Sequence, residues 1–331
     1  MRCFMNINFS SKWRHGMVGL FLATTLSVFA QGNIPIEDIH IRDPFILVDQ
    51  ASKTYYLYKS SSIKGENGEM VGGVAVMKSK DLKLWSEEKQ VFTVPSDNWI
   101  TGPVWAPEVH QYKDKYYLFA TLNTSHIWKK SENGFNYTFR GTQIFWADSP
   151  EGPFKPFDVI PHTPMDEMAL DGTLYVEKGV PYMVYCHEWL QVKDGAMKVI
   201  RLKDDLSASV GNPIRLFCAS AAPWSISPNN DPNHVTDGCF LYKTKKGKLL
   251  MIWSSFMNGA YAIGVAESTT GRILGPWKQI PEPLFKKDGG HGMIFKDLEG
   301  NLHLVIHSPN SVNERAKFFD LEDTGDEIVL K

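Results

Sequence analysis

Cysteines are few in this sequence, and their spacing argues against a disulfide framework. Four occur in 331 residues. Cys3 lies in the N-terminal leader described below, which leaves Cys186, Cys218 and Cys239, an odd number without paired spacing. At least one thiol should therefore be free, and one disulfide remains possible in an oxidising compartment. The sequence also lacks the His and Cys spacing of a zinc site.

An excess of one charge is also missing. The 35 lysines and arginines nearly balance the 37 aspartates and glutamates, and no basic block occurs. This composition argues against a nucleic-acid partner. Aromatic residues, in contrast, are plentiful, with 10 Trp, 12 Tyr and 19 Phe. They suit a large core or a surface that stacks on flat ligands such as sugar rings.

The sequence has one long apolar run, and it lies near the start of the chain. A basic segment precedes the run "GMVGLFLATTLSVFA", which ends at Ala30. This order is typical of a secretory signal peptide, and the run is too short to favour a retained transmembrane helix. We predict a signal peptide over residues 1–30. The mature chain is expected to be soluble, without a membrane span, and exported to the periplasm, the cell surface or the medium.

A hairpin pattern repeats five times along residues 31–331. Each copy has small or polar residues, a short apolar strand, a turn rich in Lys, Asp or Gly, and a second β-branched and aromatic strand. The copies are "IRDPFILVDQASKTYYLYKSS", "WAPEVHQYKDKYYLFATLN", "ALDGTLYVEKGVPYMVYCHEW", "VTDGCFLYKTKKGKLLMIWSSF" and "GGHGMIFKDLEGNLHLVIHSPN". Aligned on their first charged or imidazole side chain, they begin at Asp43, Glu108, Asp171, Asp237 and His291, with spacings of 65, 63, 66 and 54 residues.

Second hairpins lie between these copies, for example "VAVMKSKDLKLWSEEKQVF" and "YAIGVAESTTGRILGPWKQI". The last one, "RAKFFDLEDTGDEIVLK", is short, and an N-terminal strand could supplement it. No convincing long helix interrupts the array. The pattern predicts an all-β fold, a five-bladed β-propeller with four antiparallel strands per blade, as a single domain over residues 31–331. Two β-sandwich domains are the alternative, but they do not explain the near-equal spacing.

Propeller geometry would bring the five aligned side chains together. The first strand of each blade lines the central channel, so equivalent positions converge at one end of it. One acidic residue before a strand is usually a turn residue. Four of them with a histidine predict a functional ring, because like charges packed together destabilise the fold and shift one another's pKa.

At these residues the chain resembles glycoside hydrolase family 43. The resemblance is carried by "RDPFI", "WAPEV", "LDGTLY", "TDGCFLY" and "GGHGMIF", in this order and in blade register. Family members are five-bladed propellers that hydrolyse arabinose- and xylose-containing glycans with inversion at the anomeric carbon. The resemblance therefore implies an inverting glycosidase, of the α-L-arabinofuranosidase or β-xylosidase and xylanase type, that acts on plant polysaccharides or oligosaccharides.

The resemblance also implies roles for the acidic residues. Asp43 corresponds to the base that activates water, and Asp171 to the residue that tunes the pKa of the acid. The acid position departs from the family pattern, because Asp237 stands where a longer glutamate is usual. Glu188 is preferred as the acid, since it restores the length and is expected beside Asp171. Asp237 is the alternative, and a non-catalytic glycan-binding propeller with a degenerate acid position is the competing function.

Six further residues are candidates for contacts with sugar. Hydrogen bonds are expected from Glu108 and His110, which lie on one strand face. Stacking is expected from Trp105, Trp189 and Trp224, and Arg315 is a candidate for reaching the channel. Packing or surface roles are the alternatives for each of them.

His291 has two interpretations. It lies between glycines, which leave room near the channel axis. In some members of the family that the chain resembles, the equivalent histidine helps to hold a hydrated calcium ion, although calcium prefers oxygen ligands. We expect no required cofactor, with a structural calcium ion possible at His291. The sequence predicts a carbohydrate substrate and does not set an oligomeric state.

Overall fold

The computed structural model describes residues 33–65, 68–95, 98–130, 135–227 and 232–331. The predicted signal peptide lies outside these ranges and stays a prediction. Within them, no helix has the length and apolar character needed to cross a membrane. Cys186, Cys218 and Cys239 are free thiols, and the first and last of these are buried.

Five antiparallel sheets of at least four strands each form the described chain, which confirms the predicted five-bladed propeller. Blade two consists of Val104–Tyr112, Lys115–Lys130, Asn136–Ala147 and Lys155–Pro156. Blade three consists of Ala169–Glu177, Val180–His187, Ala196–Leu202 and Ser209–Cys218. Blade four consists of Asp237–Lys243, Leu249–Met257, Ala260–Ser268 and Trp277–Gln279. Blade five consists of Gly290–Lys296, Leu302–Ser308, Arg315–Asp323 and Ile328–Leu330. The helices of the described chain are one turn long, at Ile36–Asp38, Trp189–Val192 and Ala219–Ala221.

Blade one also takes in the N-terminal residues of the described chain. Its strands are Ile34–Pro35, Phe45–Asp49, Thr54–Lys64, Met70–Ser79, Leu84–Trp85 and Lys89–Thr93. The strand Ile34–Pro35 pairs with Leu84–Trp85. The expectation that an N-terminal strand supplements blade five is therefore wrong. Blade five completes its own four strands, and the N-terminal segment reaches it through a bridge between His40 and Arg315.

The hydrophobic core lies between neighbouring blades. One buried cluster joins blades one, two and five, and includes Leu57, Leu118 and Val305. Others join blades three and four, four and five, and two and three. Because each blade packs on two neighbours, its second strand is buried on both faces. That explains why these strands are continuous apolar runs rather than alternating ones.

A left-handed backbone corner occurs near the start of the first strand in every blade. The φ angles there are 51° at Asp43, 43° at Ala106, 57° at Asp171, 54° at Gly238 and 34° at His291. In blades two to five the corner coincides with a β-bulge against the second strand. A bulge changes the direction of the side chain at that point. These five residues are thus the structurally equivalent positions of the ring.

This equivalence corrects the predicted register in two blades. In blade two the equivalent residue is Ala106, two positions before Glu108. In blade four it is Gly238, one position after Asp237. The prediction failed there because it aligned charged side chains, whereas the corner is a backbone feature that alanine and glycine also adopt.

Candidate active site

His291 joins the aspartates of blades one and three. Its Nδ1 lies 3.3 Å from Oδ1 of Asp43 and 3.5 Å from Oδ2 of Asp171. Its backbone N–H donates a 2.8 Å hydrogen bond to Oγ of Ser254. Gly238 lies against the imidazole, where an added Cβ would come within 2.6 Å of Cγ. The structure therefore brings together the predicted strand starts of blades one, three and five. We call the end of the channel where they meet the mouth.

Two histidines and an arginine surround the carboxylate of Asp43. Besides His291, the Nδ1 of His307 lies 3.2 Å from its Oδ1, and the Nε of Arg42 lies 3.9 Å away. Burial alone would raise the pKa of Asp43, but His291, His307 and Arg42 outweigh burial and hold the pKa well below its usual range. Asp43 is therefore ionised at neutral pH.

Asp171 is buried and has the opposite tendency. Burial raises its pKa to about 7, although His291 opposes the change; the charges of Asp237 and Asp43 add to it. Its Oδ2 accepts a 3.0 Å hydrogen bond from the backbone N–H of Gly238. Asp43 and Asp171 thus lie on either side of the His291 imidazole, and the two carboxyl groups differ widely in pKa.

Asp237 is tied to the ring by a tyrosine that the sequence analysis did not identify. The Tyr261 hydroxyl donates a 2.9 Å hydrogen bond to Oδ2 of Asp237. The Tyr261 ring stacks on His307, with centroids 5.7 Å apart and planes 20° apart. Burial raises the pKa of Asp237, while Tyr261 and His291 oppose the change. Tyr261 therefore links Asp237 to the histidine that contacts Asp43.

Glu188 is buried where blade three meets the mouth, and its closest charged partner is Arg140. The guanidinium Nη1 of Arg140 donates a short hydrogen bond to its Oε2. Burial raises the pKa of Glu188 to about 7; Arg140 opposes the change, and the charge of Asp237 supports it. The charges that act on Asp171 are those of His291, Asp237 and Asp43. Asp237 is the one group whose charge raises the pKa of both Asp171 and Glu188. The expected contact between Glu188 and Asp171 stays a prediction.

Arg140 is held on three sides. Its Nε donates a 2.6 Å hydrogen bond to Oδ1 of Asn123, and its guanidinium lies 4.5 Å from the ring centroid of Trp105. One face of Trp105 is thus in contact with a cation, while 36% of the residue stays exposed. Stacking of Trp105 on sugar stays a prediction. Arg140 follows no recognisable motif, which is why the sequence did not indicate it.

Two of the predicted contact residues have side chains that are engaged elsewhere in the protein. Trp224 is 4% exposed and packs on Trp253, with ring centroids 4.8 Å apart. Its ring fills the space over Gly264, where a Cβ would lie 2.0 Å from it. Arg315 donates hydrogen bonds to the carbonyl oxygens of Glu37 and Glu314, at 3.0 and 2.9 Å. The predictions that Trp224 stacks on sugar and that Arg315 reaches the channel are therefore wrong, because both side chains are used in packing or in holding backbone.

The other candidates differ in exposure. Glu108 is buried and hydrogen-bonded to Nε2 of His110 at 2.8 Å, and the His110 ring packs edge-on against Phe45. Glu108 and His110 thus bond to each other, and the His110 ring packs on core aromatic residues. Trp189 is partly exposed at the start of its one-turn helix, with its ring edge-on to Phe135 at 5.4 Å. Sugar contacts by these three candidates stay predictions.

The surroundings of His291 do not fit a calcium ion held by the protein. Among the residues that the structure describes, no group of three or more His, Cys, Asp or Glu side chains is arranged to hold a metal ion. The Nδ1 of His291 already faces Asp43 and Asp171, and calcium requires six to eight oxygen ligands. A calcium ion here stays a prediction without an identified set of ligands.

Comparisons with known proteins show the family to which the chain belongs. The model of the family Glycosyl hydrolases family 43 matches residues 33–329. The solved structure of an endo-arabinase from Bacteroides thetaiotaomicron VPI-5482 is 42% identical, with a TM-score of 0.78, and the match covers 88% of this chain and 98% of that one. A search of curated proteins gives no match.

More distant solved structures share the fold. An endo-1,4-β-xylanase from the same organism is 24% identical, with a TM-score of 0.68 and coverage of 88% and 94% of the two chains. An α-L-arabinofuranosidase from Lactobacillus brevis is 18% identical, with a TM-score of 0.68 and coverage of 88% and 93%.

Proposed function

The chain belongs to family 43 of the glycosyl hydrolases, and we propose that it cleaves arabinan with inversion at the anomeric carbon. As a family member it is a glycoside hydrolase with a carbohydrate substrate. The choice of arabinan is supported by the 42% identity to a solved structure named an endo-arabinase. The observation that carries the mechanism is the difference in proton affinity between Asp43 and the other carboxyl groups at the mouth.

Asp43 is proposed as the base. An inverting glycosidase needs a carboxylate that takes a proton from water while the oxygen attacks the anomeric carbon. His291, His307 and Arg42 lower the pKa of Asp43 and keep it ionised at neutral pH. The same groups make it a weak base at rest. We therefore propose that its task is to orient the water and to accept its proton only as the C–O bond breaks.

Glu188 is proposed as the acid. The departing sugar oxygen must receive a proton, which requires a carboxyl group that is still protonated near neutral pH. Burial raises the pKa of Glu188 to about 7, and this supports the role. The balance between burial and Arg140 would then set the pH at which the acid loses its proton.

Asp237 is the second candidate for the acid, and one observation favours it. Its charge raises the pKa of the predicted tuning residue Asp171, whereas Glu188 is not among the main charges acting on Asp171. Burial raises the pKa of Asp237 as well. In either assignment Asp171 and His291 are proposed to hold the two sides of the site in place rather than to transfer protons to sugar.

A substrate screen tests the proposal. Linear arabinan, xylan, aryl α-L-arabinofuranoside and aryl β-D-xyloside would be incubated with the enzyme, and proton NMR would follow the configuration of the first product. We expect arabinan cleavage with an inverted product. If the enzyme cleaves xylan but not arabinan, the proposed substrate is wrong. A product with retained anomeric configuration would overturn the roles of Asp43 and Glu188. A propeller that only binds glycans would release no product from any of the four.

Export also remains a proposal. It depends on the predicted signal peptide over residues 1–30. N-terminal sequencing of the protein recovered outside the cytoplasm would test it, with a mature N-terminus at residue 31 as the expected result.

A further inference from the structure

The second and third strands of blade two extend well beyond the sheet at the mouth. They contain 16 and 12 residues, and are the longest strands of the described chain. Their pairing continues past the point where Leu122 pairs with the first strand. All residues from 125 to 130 are exposed. At a rise of about 3.3 Å per residue, the strand ending at Lys130 projects roughly 25 Å beyond Leu122. We call residues 123–130 and 135–140 the aromatic hairpin.

Four rings lie side by side on this hairpin. Phe139 is at the centre, with His126 at 5.8 Å and 7° between planes, and Trp128 at 6.2 Å and 28°. Trp128 also packs against Tyr137 at 5.7 Å. Two register shifts place extra residues on the first strand of the hairpin, which lets His126 and Trp128 both reach Phe139. Trp128 remains 36% exposed.

The hairpin is continuous with the candidate active site. Arg140 directly follows Phe139 in the strand, and it donates the hydrogen bond to Glu188. The Tyr137 hydroxyl donates a 3.2 Å hydrogen bond to the carbonyl oxygen of Gln191. The hairpin therefore contacts the short segment that carries Glu188. A polymer that extends from the site along this side would contact the aromatic rings of the hairpin.

We propose that the aromatic hairpin binds an arabinan chain outside the catalytic ring, by stacking of sugar rings on Trp128 and its neighbours. This inference rests on the proposed function. Single exposed aromatic residues are common on protein surfaces, but a contiguous apolar patch indicates an interaction site. Flat rings bury the apolar faces of sugars, and the described residues of the hairpin include no acidic side chain. The hairpin thus contributes to the binding of long substrates and does not take part in the cleavage of the glycosidic bond.

Kinetics with long and short substrates test this role. Trp128→Ala should lower kcat/KM for linear arabinan roughly two- to tenfold, the range expected for one aromatic contact. The same variant should leave kcat/KM for aryl α-L-arabinofuranoside unchanged. Trp128→Phe keeps a ring and should retain most of the activity on arabinan. Ile127→Ala is the matched control, because it removes an exposed apolar side chain from the same strand without removing a ring.

A binding measurement separates this inference from the proposed function. In the Asp43→Asn background, which is expected to be inactive, migration in gels that contain linear arabinan would be compared with and without Trp128→Ala. Weaker retardation of the double variant supports the inference. If the unmodified enzyme cleaves arabinan but Trp128→Ala changes neither the kinetics nor the retardation, the inference is wrong and the proposed function stands. If no variant binds or cleaves arabinan, the proposed function is wrong.

The alternative role of these aromatic rings is to form a dimer interface between two copies of the chain. Sedimentation of the wild type and of Trp128→Ala would reveal it. A dimer that Trp128→Ala converts to a monomer, with unchanged arabinan retardation, would overturn the inference. A monomer in both cases, together with reduced retardation, supports it.

Discussion

The guanidinium of Arg140 donates a hydrogen bond to the carboxylate of Glu188, and about a tenth of each side chain is exposed. The ion pair favours the charged form of Glu188, whereas burial favours the neutral form. The pKa of about 7 is the result of these opposing effects. Arg140 is therefore a positioning residue whose charge should set the pH range of the enzyme if Glu188 is the acid.

Removal of that charge should move the pH–rate profile. Arg140→Met takes away the cation, so the pKa of Glu188 should rise, and the alkaline limb of kcat/KM should shift to higher pH. Arg140→Lys keeps a positive charge and should shift the limb less. The measurement is kcat/KM on linear arabinan between pH 5 and 9, because the natural leaving group needs a proton from the acid. An alkaline limb that does not move in Arg140→Met would argue against Glu188 as the acid.

Asp43→Asn should remove the base without unfolding the protein. General-base assistance contributes about 10²–10⁴-fold to the rate, so kcat should fall by that order. Asparagine keeps the size of the side chain at the corner, and Asn is among the residues that tolerate a left-handed backbone. Circular dichroism and thermal melting would check that the fold is intact. Near-native turnover would exclude Asp43 as the base.

The two candidate acids should respond differently to the leaving group. Loss of the true acid should abolish cleavage of natural arabinan, but should spare aryl substrates, whose leaving group needs little protonation. We expect this pattern for Glu188→Gln, together with loss of the alkaline limb. For Asp237→Asn we expect a similar loss on both substrates. The reverse outcome would make Asp237 the acid and Glu188 a contact at the rim of the mouth.

Asp171→Asn should stabilise the protein at alkaline pH. The folded-state pKa of Asp171 is raised to about 7, so the folded state binds its proton more tightly than the unfolded state does. Wild-type stability from this group is fully present below pH 4, and is lost as the pH rises toward 7. The variant lacks this loss, and its melting temperature should exceed that of the wild type at pH 8.

The size of that difference provides the check. Each kcal/mol gained by no longer burying the charge should raise the melting temperature by ~1–2 °C in a protein of this size. The difference between variant and wild type should shrink at pH 4, where both side chains are uncharged. A variant that melts lower than the wild type at pH 8 but not at pH 4 would mean that the Asp171 charge, through His291, stabilises the fold more than burial of that charge destabilises it.

The sequence patterns correctly predicted the propeller and three of the five residues at the corners of the ring. Asp43, Asp171 and His291 could be predicted because each lies at a blade corner in a recognisable motif. His307 was also within reach of sequence reasoning. It lies one residue before the end of the second strand of blade five and pairs with Gly290, as His187 pairs with Ala169 in blade three. The hairpin argument that led to Glu188 concerns this end of the second strand, and in blade five the same end carries His307.

The remaining differences depend on partners far away in the chain. Trp224 looked exposed because its own segment is irregular, but Gly264, 40 residues later, leaves the space that its ring fills. Arg140 and Glu188 are 48 residues apart, on different blades, and no local pattern records their contact. Side-chain pairing of this kind is determined by the packing of blades against one another, which the sequence period alone does not specify.

The left-handed corner of each blade has a consequence for altering the enzyme. The backbone φ angle is positive, between 34° and 57°, at all five corner residues, although their side chains differ. New chemistry at the mouth therefore requires a change of side chain and no remodelling of a loop. Ala106 is the position to test, because it already carries a Cβ, whereas Gly238 lies too close to His291 to accept one. Ala106→Asp or Ala106→His would add a titratable group from blade two, and the enzyme could acquire a different pH range or preference for sugars on its existing scaffold.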